Sequence, residues 1–337
     1  MNNKALVEKI YNTILEAQSG YDRQKIIYTN NVQGNNEFLF FVKPELTIKS
    51  GTIQLKKILE FIFEKFLEFE VSVRNIILQP AKYLEKNNII AQHYGVINAI
   101  ARDAKTNLSE SIKNKISRLF NIPFDSANVM GGLELQKKYP ELSASAIDYI
   151  WQNSPVIKLG GGAYGQSLKI DGKQIYLING FHPRQLEHFI ASGRSIVTFT
   201  LTGDLDWGVA RNNLIGKTNP AEATEGSIRK SLLNRKEEFG LQTVSSSWNG
   251  VHLSAGPVEG LLELIRYNSN FDTKEKLDIQ DFAFGRLLAE VFSPDITEKI
   301  LSNQTVSLNS DNISIFDLTE EKNANEAVEL LKKVFRK

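Results

Sequence analysis

The stretch that most constrains the fold is Glu37-Phe38-Leu39-Phe40-Phe41-Val42-Lys43-Pro44, an apolar run of strand length stopped by proline. Without polar alternation such a run reads as a buried strand, and proline ends it because it has no N–H to give to a sheet. Beyond Gly51, apolar residues recur at Ile53, Leu55, Ile58, Leu59, Ile62, Phe63 and Phe66, a mostly helical spacing, and 71–78 reads as a second strand. A β-α-β unit is therefore expected near the start of the chain.

The chain has 337 residues, of which 42% are hydrophobic, enough for a substantial core in one large or two ordinary domains. Its 40 basic and 39 acidic residues nearly cancel, so no strong nucleic-acid or membrane field follows. With no cysteine and only four histidines, disulfide frameworks and thiolate metal sites are excluded and a zinc site has little material. The first twenty residues carry charges through their apolar positions and read as a short amphipathic helix rather than a signal peptide. No run approaches a membrane span, and the expected location is the cytoplasm, though an effector secreted without a cleavable signal would read the same way.

Residues 29–36 read as a polar linker, 81–93 as a helix, and 195–202 as an alternating strand. Between them, helices are expected at 109–120, 143–151 and 183–192. The run Gly160-Gly161-Gly162-Ala163-Tyr164-Gly165 fits G-x-G-x-x-G, but two strand-like runs around Asp171-Gly172 come after it. A dinucleotide fingerprint must open a helix, so a hairpin is expected there, with the glycines as a flexible lid. Toward the C-terminus, 277–292 and 325–335 read as amphipathic helices, with Asp278 as a cap and Ser293-Pro294 as a break.

The segment Trp248 to Glu263, WNGVHLSAGPVEGLLE, sets His252 between a strand and a helix that Gly256-Pro257 can open. Asn249 stands three positions before the histidine, Ser254 two after and Glu263 eleven after, so a helical carboxylate can fold back to orient the ring. That suits a histidine nucleophile, which needs a neutral ring and neighbours that fix its tautomer. A lone histidine after a short apolar strand is more often simply packed or exposed. Upstream, Gly216-Lys217-Thr218-Asn219-Pro220-Ala221 leads into Glu225-Gly226-Ser227-Ile228-Arg229.

Together these segments resemble nucleoside diphosphate kinases, in which G-x-T-N-P-A, P-G-[ST]-I-R and N-x-x-H occur in that order. The match departs at Glu225, where a proline is usual, at Asn212, where an arginine is usual and Arg211 lies one residue earlier, and at Ala255, often acidic in the family and linked to Mg2+ through water. The resemblance covers about 36–94 and 179–267, less than half the chain. It implies an α/β fold of the ferredoxin-like kind, β-α-β-β-α-β with an antiparallel four-stranded sheet. A segment at 1–35 would precede this core, an insertion of helices, glycine-rich loop and hairpin at 95–178 would split it, and a helical extension at 268–337 would follow.

The function implied is transfer of the γ-phosphate of a nucleoside triphosphate to a nucleoside diphosphate through a phosphohistidine, with Mg2+ bound through the phosphates. His252 would be the nucleophile, with Glu263 and Ser254 holding the ring. Lys43, Tyr94 and Arg229 would stabilise the transferring group, Thr218 and Arg211 would grip the β-phosphate, Asn249 would bind the sugar or phosphate side, and Phe181 would stack on the base. Each has a plainer reading: Lys43 as an exposed strand end, Thr218 as turn chemistry, the arginines as surface charges, Phe181 as a core aromatic. Alternatives keep the phosphohistidine with another acceptor, a metabolite or a protein, or make the chain a weakly catalytic nucleotide-binding regulatory module. The long connection from Arg229 to Asn249 leaves room for a homo-oligomer but argues against the family's usual hexamer.

Overall fold

The Phe38–Val42 run is indeed a strand covered on both faces: every residue of Asn36–Val42 is buried, and it lies between two neighbours in a sheet. The computed structural model describes residues 3–17, 22–29, 34–48, 51–308 and 311–335, so 30–33 of the expected linker at 29–36 lie outside the described residues. Strands in chain order are β1 (Gln24–Tyr28), β2 (Asn36–Val42), β3 (Ser72–Pro80), β4 (Val129–Gly131), β5 (Ile157–Gly160), β6 (Ala163–Ile170), β7 (Lys173–Ile178), β8 (Ser195–Gly203), β9 (Val251–Leu253), β10 (Thr305–Leu308) and β11 (Asp311–Ser314). They are distributed over two units, Met1–Asn87 with Ser192–Lys337, and Asn88–Ala191.

In the first unit the sheet order is β1-β3-β8-β2-β9, with every neighbouring pair antiparallel. The last four strands have the order of a ferredoxin-like β-α-β-β-α-β core, as expected. β1 adds a fifth strand that the pattern of Gln24-Lys25-Ile26-Ile27-Tyr28 did not announce, because only Ile26 is buried.

Alternation along β2 assigns its side chains to two cores. Phe38, Phe40 and Val42 join one, where Phe40 meets Phe66 at 5.1 Å and Phe199 at 5.6 Å, both edge to face. The Leu55–Glu68 helix closes that face through Ile58, Leu59, Ile62 and Phe66, and the Asn3–Ala17 helix packs on it through Ile10 and Ile14. Leu39 and Phe41 face the other way, toward the Pro257–Asn268 helix, where Tyr267 lies 5.7 Å from Phe41.

The helix expected over 81–93 is divided. Ala81–Lys86 ends at Asn87, and Asn88 takes a left-handed conformation (φ 52°) before Ile89–His93 begins. Asparagine tolerates that conformation better than most residues, which is why periodicity alone ran through it. Likewise 277–292 is a short turn of helix at Ile279–Asp281, capped by Asp278, and a separate helix Ala283–Val291, with extended Phe282 between. The C-terminal extension also carries the β10–β11 hairpin, which its helical reading left out.

The second unit is a four-stranded sheet, β4-β7-β6-β5, with Ile178 and Val129 in one core and Leu177 and Met130 in the other. Asp171 (φ 49°) and Gly172 (φ 73°) form the two-residue turn joining β6 to β7. The glycine run is likewise a tight turn between β5 and β6.

Candidate functional site

β9 pairs with β2 so that His252 stands opposite Phe41, and the two rings stack with centroids 4.5 Å apart and planes 18° from parallel. The chain then turns at Gly256 into the Pro257–Asn268 helix. Glycine is required there, since a Cβ would lie 2.4 Å from the Thr319 carbonyl oxygen. Two turns of helix later Glu263 points back, its Oε2 3.1 Å from His252 Nε2. The glutamate side chain is 3% exposed and the histidine 19%. A carboxylate so placed fixes the ring's orientation and tautomer and stabilises positive charge arising on it. Ser254 is used differently: its hydroxyl donates to the Leu39 carbonyl and accepts from the Leu39 N–H, pinning the strand end.

Lys43 follows β2 on the Phe41 face. It is buried, and its Nζ donates to Asn249 Oδ1 at 2.7 Å. Asn249 is buried too, and its Nδ2 donates to the carbonyls of Thr218 and Ser246, tying the Gly216–Thr218 turn to the strand. Thr218 itself is exposed. Burial lowers the Lys43 pKa to about 8, the positive charge of Arg229 adding to the effect and Glu45 opposing it. Glu45 also accepts from the Gly250 N–H at 2.8 Å.

β9 has a sheet neighbour on one side only, so the carbonyls on its outer edge need other donors. Two arginines supply them: Arg229 Nη2 reaches Val251 O at 3.0 Å, and Arg211 Nη1 reaches Leu253 O at 3.0 Å. These carbonyls flank His252. Arg229 is buried and its Nη1 donates to Gly216 O at 2.8 Å. At the position where the resemblance expects an arginine, Asn212 instead donates to Gly208 O within its own turn. Ala210–Ile215 is π-helical, and such a widened turn shifts which residue faces outward, so Arg211 meets the strand.

Five residues at this place were not singled out in the sequence. Phe41 looks like any core residue until the register puts it on the ring, and Glu45 is an ordinary acid after a proline. Glu259 lies one turn before Glu263; burial and then the neighbouring Glu263 charge raise its pKa to about 8. Glu320 and Glu321 carry no sequence signal, being far along the chain. They arrive because Glu321 N–H bonds to Ala255 O at 2.9 Å, which sets their carboxylates 3.8 and 3.9 Å from the Arg211 guanidinium.

Tyr94 and Phe181 belong to the 88–191 unit. Tyr94 joins two short helices and lies 6.2 Å from the rings of both His182 and Phe189. Phe181 packs against Trp151 at 5.8 Å and Tyr164 at 6.1 Å in that unit's core.

No protein-family model matches this chain, and neither does any curated protein. Solved structures do resemble it. A nucleoside diphosphate kinase from Encephalitozoon cuniculi, in a cubic crystal form without ligand, is similar at 13% identity over 72% of this chain and 93% of that one, with a TM-score of 0.33. An NDP kinase from Pyrobaculum aerophilum is similar at 17% identity over 72% and 98%, with a TM-score of 0.35. Likenesses this distant carry no weight for function, which has to be read from the residues of this chain.

Chemically, the arrangement offers an imidazole oriented by a buried carboxylate, on a strand lined by two guanidiniums, with a buried ammonium at the end of the adjacent strand. Such a set can hold an anion beside the ring and stabilise charge that moves onto it. No helix among the described residues is long and apolar enough to cross a membrane.

Proposed function

We propose that this chain is a phosphotransferase that moves the γ-phosphate of a nucleoside triphosphate to a nucleoside diphosphate through a phosphohistidine at His252. The observation that carries the reading is the His252–Glu263 contact of 3.1 Å on a strand whose flanking carbonyls are held by Arg211 and Arg229. With Nε2 committed to Glu263, the reacting atom is Nδ1. It attacks the γ-phosphorus, the new N–P bond forms as the bond to the β,γ-bridging oxygen breaks, and the diphosphate leaves. In the second half a terminal oxygen of an acceptor diphosphate attacks the same phosphorus and the ring is restored.

Glu263 stabilises the positive charge that the ring carries while it is phosphorylated. Lys43 and the two arginines offset the negative charge of the phosphates, the arginines exchanging backbone carbonyls, and Lys43 the Asn249 amide oxygen, for phosphate oxygens as substrate enters. Asn249 acts by holding Lys43 and the Thr218 turn in register. The nucleotide brings Mg2+ on its phosphates. Glu320 and Glu321, next to Ala255 and Arg211, would be the acids that hold the ion with the phosphates, where it would offset their charge.

A second reading, a regulatory module that binds nucleotide without turnover, draws on one observation: Arg229 is buried and spends both terminal nitrogens on Gly216 and Val251 carbonyls. Incubation with γ-labelled ATP and Mg2+ separates the two. The kinase reading expects acid-labile, base-stable label that is absent from His252→Ala and discharged to GTP by GDP. Label that no nucleoside diphosphate discharges would identify another acceptor, and tight ATP binding without label would overturn the phosphohistidine.

A further inference from the structure

The C-terminal extension reaches back to the His252 cluster through one short stretch, 319–324. Gly256 lets it come close: a Cβ there would meet the Thr319 carbonyl oxygen at 2.4 Å and Glu320 Cα at 3.0 Å. Glu321 N–H bonds to Ala255 O at 2.9 Å, and the turn closes with Lys322 N–H on Thr319 O at 3.2 Å. Glu321 itself is held at φ 56°. For a glutamate that left-handed conformation is strained, and it persists only where contacts on both sides impose it. Ala255 supplies one of those contacts, and Asn323, two residues on, supplies the other.

Asn323 immediately precedes the Ala324–Phe335 helix. An asparagine there ordinarily spends its side-chain oxygen on the first N–H groups of its own helix. This one turns both amide atoms to other elements. Its Oδ1 accepts from Trp207 N–H at 3.1 Å and from Asn36 Nδ2 at 2.9 Å, and its Nδ2 donates to Asp206 Oδ2 at 2.7 Å. Asn36, 3% exposed, accepts in turn from Ala324 N–H at 3.1 Å. The other oxygen of Asp206 caps the Trp207–Val209 turn by accepting Val209 N–H at 3.0 Å. That turn runs directly into the π-helical Ala210–Ile215 segment, which carries Arg211. Trp207 is fully buried, its ring 4.4 Å from Phe38, so this anchor is rigid.

One amide therefore joins the stretch that carries Glu320 and Glu321 to the start of the segment that carries Arg211. With both partners tied to the same residue, the two carboxylates stand 3.8 and 3.9 Å from the guanidinium. The guanidinium keeps its remaining terminal nitrogen on Leu253 O, beside His252. We propose that Asn323 is a positioning residue for Arg211: it holds the two C-terminal carboxylates on the guanidinium, and so keeps the guanidinium aimed along β9 where a β-phosphate is to be gripped. The use of that grip rests on the phosphotransfer reading above, whereas the clamp on Arg211 does not.

Treatment of the full-length protein with phenylglyoxal, an arginine-selective reagent, followed by peptide mass mapping, reads the clamp without substrate. Asn323→Ala is expected to speed modification of Arg211 about threefold, the scale of two weak ion pairs lost. Arg229, 5% exposed, is the internal control and should stay slow. In a chain carrying Glu320→Gln and Glu321→Gln, Arg211 should already react fast, and adding Asn323→Ala should change it no further. An asparagine with a merely structural role would add its effect in both backgrounds. If Asn323→Ala does not fold, Asn323→Asp decides: it retains both accepted bonds, sets a carboxylate against Asp206, and should still free Arg211 without freeing Arg229. The variant that folds should also need about threefold more ATP for half-maximal labelling at an unchanged plateau, the sign of lost binding with intact chemistry. Arg211 modification that stays unchanged, rises equally with Arg229, or adds in the Gln background overturns the proposal, as does a freed Arg211 with an unchanged ATP requirement. A wild-type protein that takes no label overturns the phosphotransfer reading instead, and the clamp is then judged on Arg211 modification alone.

Discussion

The two ends of one sheet face hold their buried polar groups in different ways. Around β9, charge is concentrated and the donors are committed: Lys43 to Asn249, Arg229 and Arg211 to the carbonyls flanking His252. Toward β1 a neutral layer of Asn75, Asn268 and Thr200 bonds among its own side chains, with the Arg74–Glu37 ion pair beside it. Bonds to backbone carbonyls keep the two arginines in place, and one to the Asn249 amide oxygen keeps Lys43 there, until a stronger anion displaces those acceptors. The neutral groups toward β1 are held instead by one another. The first arrangement suits transfer of a charged group; the second fixes the sheet to the helix packed on it.

The largest effect that could break this contrast is at His252. His252→Ala should lower phosphoenzyme formation by about 10^4-fold or more, as for removal of a nucleophile, read as acid-labile label per protein. Label that persists would place the chemistry elsewhere and strip the β9 end of its special status.

Next, Lys43→Met should slow labelling by about 10^2-fold, the scale for loss of one preorganised donor. Its titration gives a sign as well. The native pKa of about 8 lies below the ordinary 10.5, so the cation is present below pH 8 and is lost above it. Labelling should therefore fall as pH rises through 8, and Lys43→Arg should carry the plateau further into alkali. Between pH 8 and 10.5 the unfolded chain binds the proton that native Lys43 has released, so this group's contribution makes the protein more stable with rising pH over that window, measurable by urea unfolding.

Gly250→Ala tests how far the site depends on its turn. Gly250 has φ 78°, and a Cβ would come within 2.5 Å of Leu232 Cδ1, so a loss of about 1–3 kcal/mol is expected in denaturant unfolding. A neutral result would mean that the Glu45 bond to Gly250 is not what holds Asn249 and Lys43 together. The smallest effect belongs to the C-terminal acids. Glu320→Gln combined with Glu321→Gln should raise the Mg2+ concentration for half-maximal labelling a few-fold and leave stability nearly unchanged, since ion pairs of 3.8–3.9 Å on partly exposed side chains contribute little. An unchanged Mg2+ dependence would reduce these acids to neighbours of Arg211.

Much of the first unit was legible because its signals are local. The Phe38–Val42 run, stopped by proline, carried the mark of a buried strand, and the spacing from Asn249 to His252 and Glu263 closes once a strand turns into a helix at Gly256-Pro257. Features that depend on what lies opposite a residue were hidden. β1 has a single buried side chain and so no strand pattern, and the substitution at Asn212 looked like a loss until a π turn brought Arg211 to the strand. The bond from Asn75 to Asn268 was silent, since an asparagine in a strand says nothing about which amide it will meet across the sheet.

From the sequence came the buried β2 strand, the helix after it and the strand-to-helix turn beyond His252, because hydrophobic period and turn chemistry act over a few neighbours, while the four-stranded ferredoxin-like order came from the resemblance of the motifs to a known family. Tertiary structure alone decided which donors face which acceptors. It set Phe41 under the imidazole, brought Glu320 and Glu321 beside Ala255 and Arg211, and joined Asn75 to Asn268 across the sheet face. Hydrogen bonds and ion pairs form over a few ångströms in space whatever the separation along the chain, and only folding sets those distances.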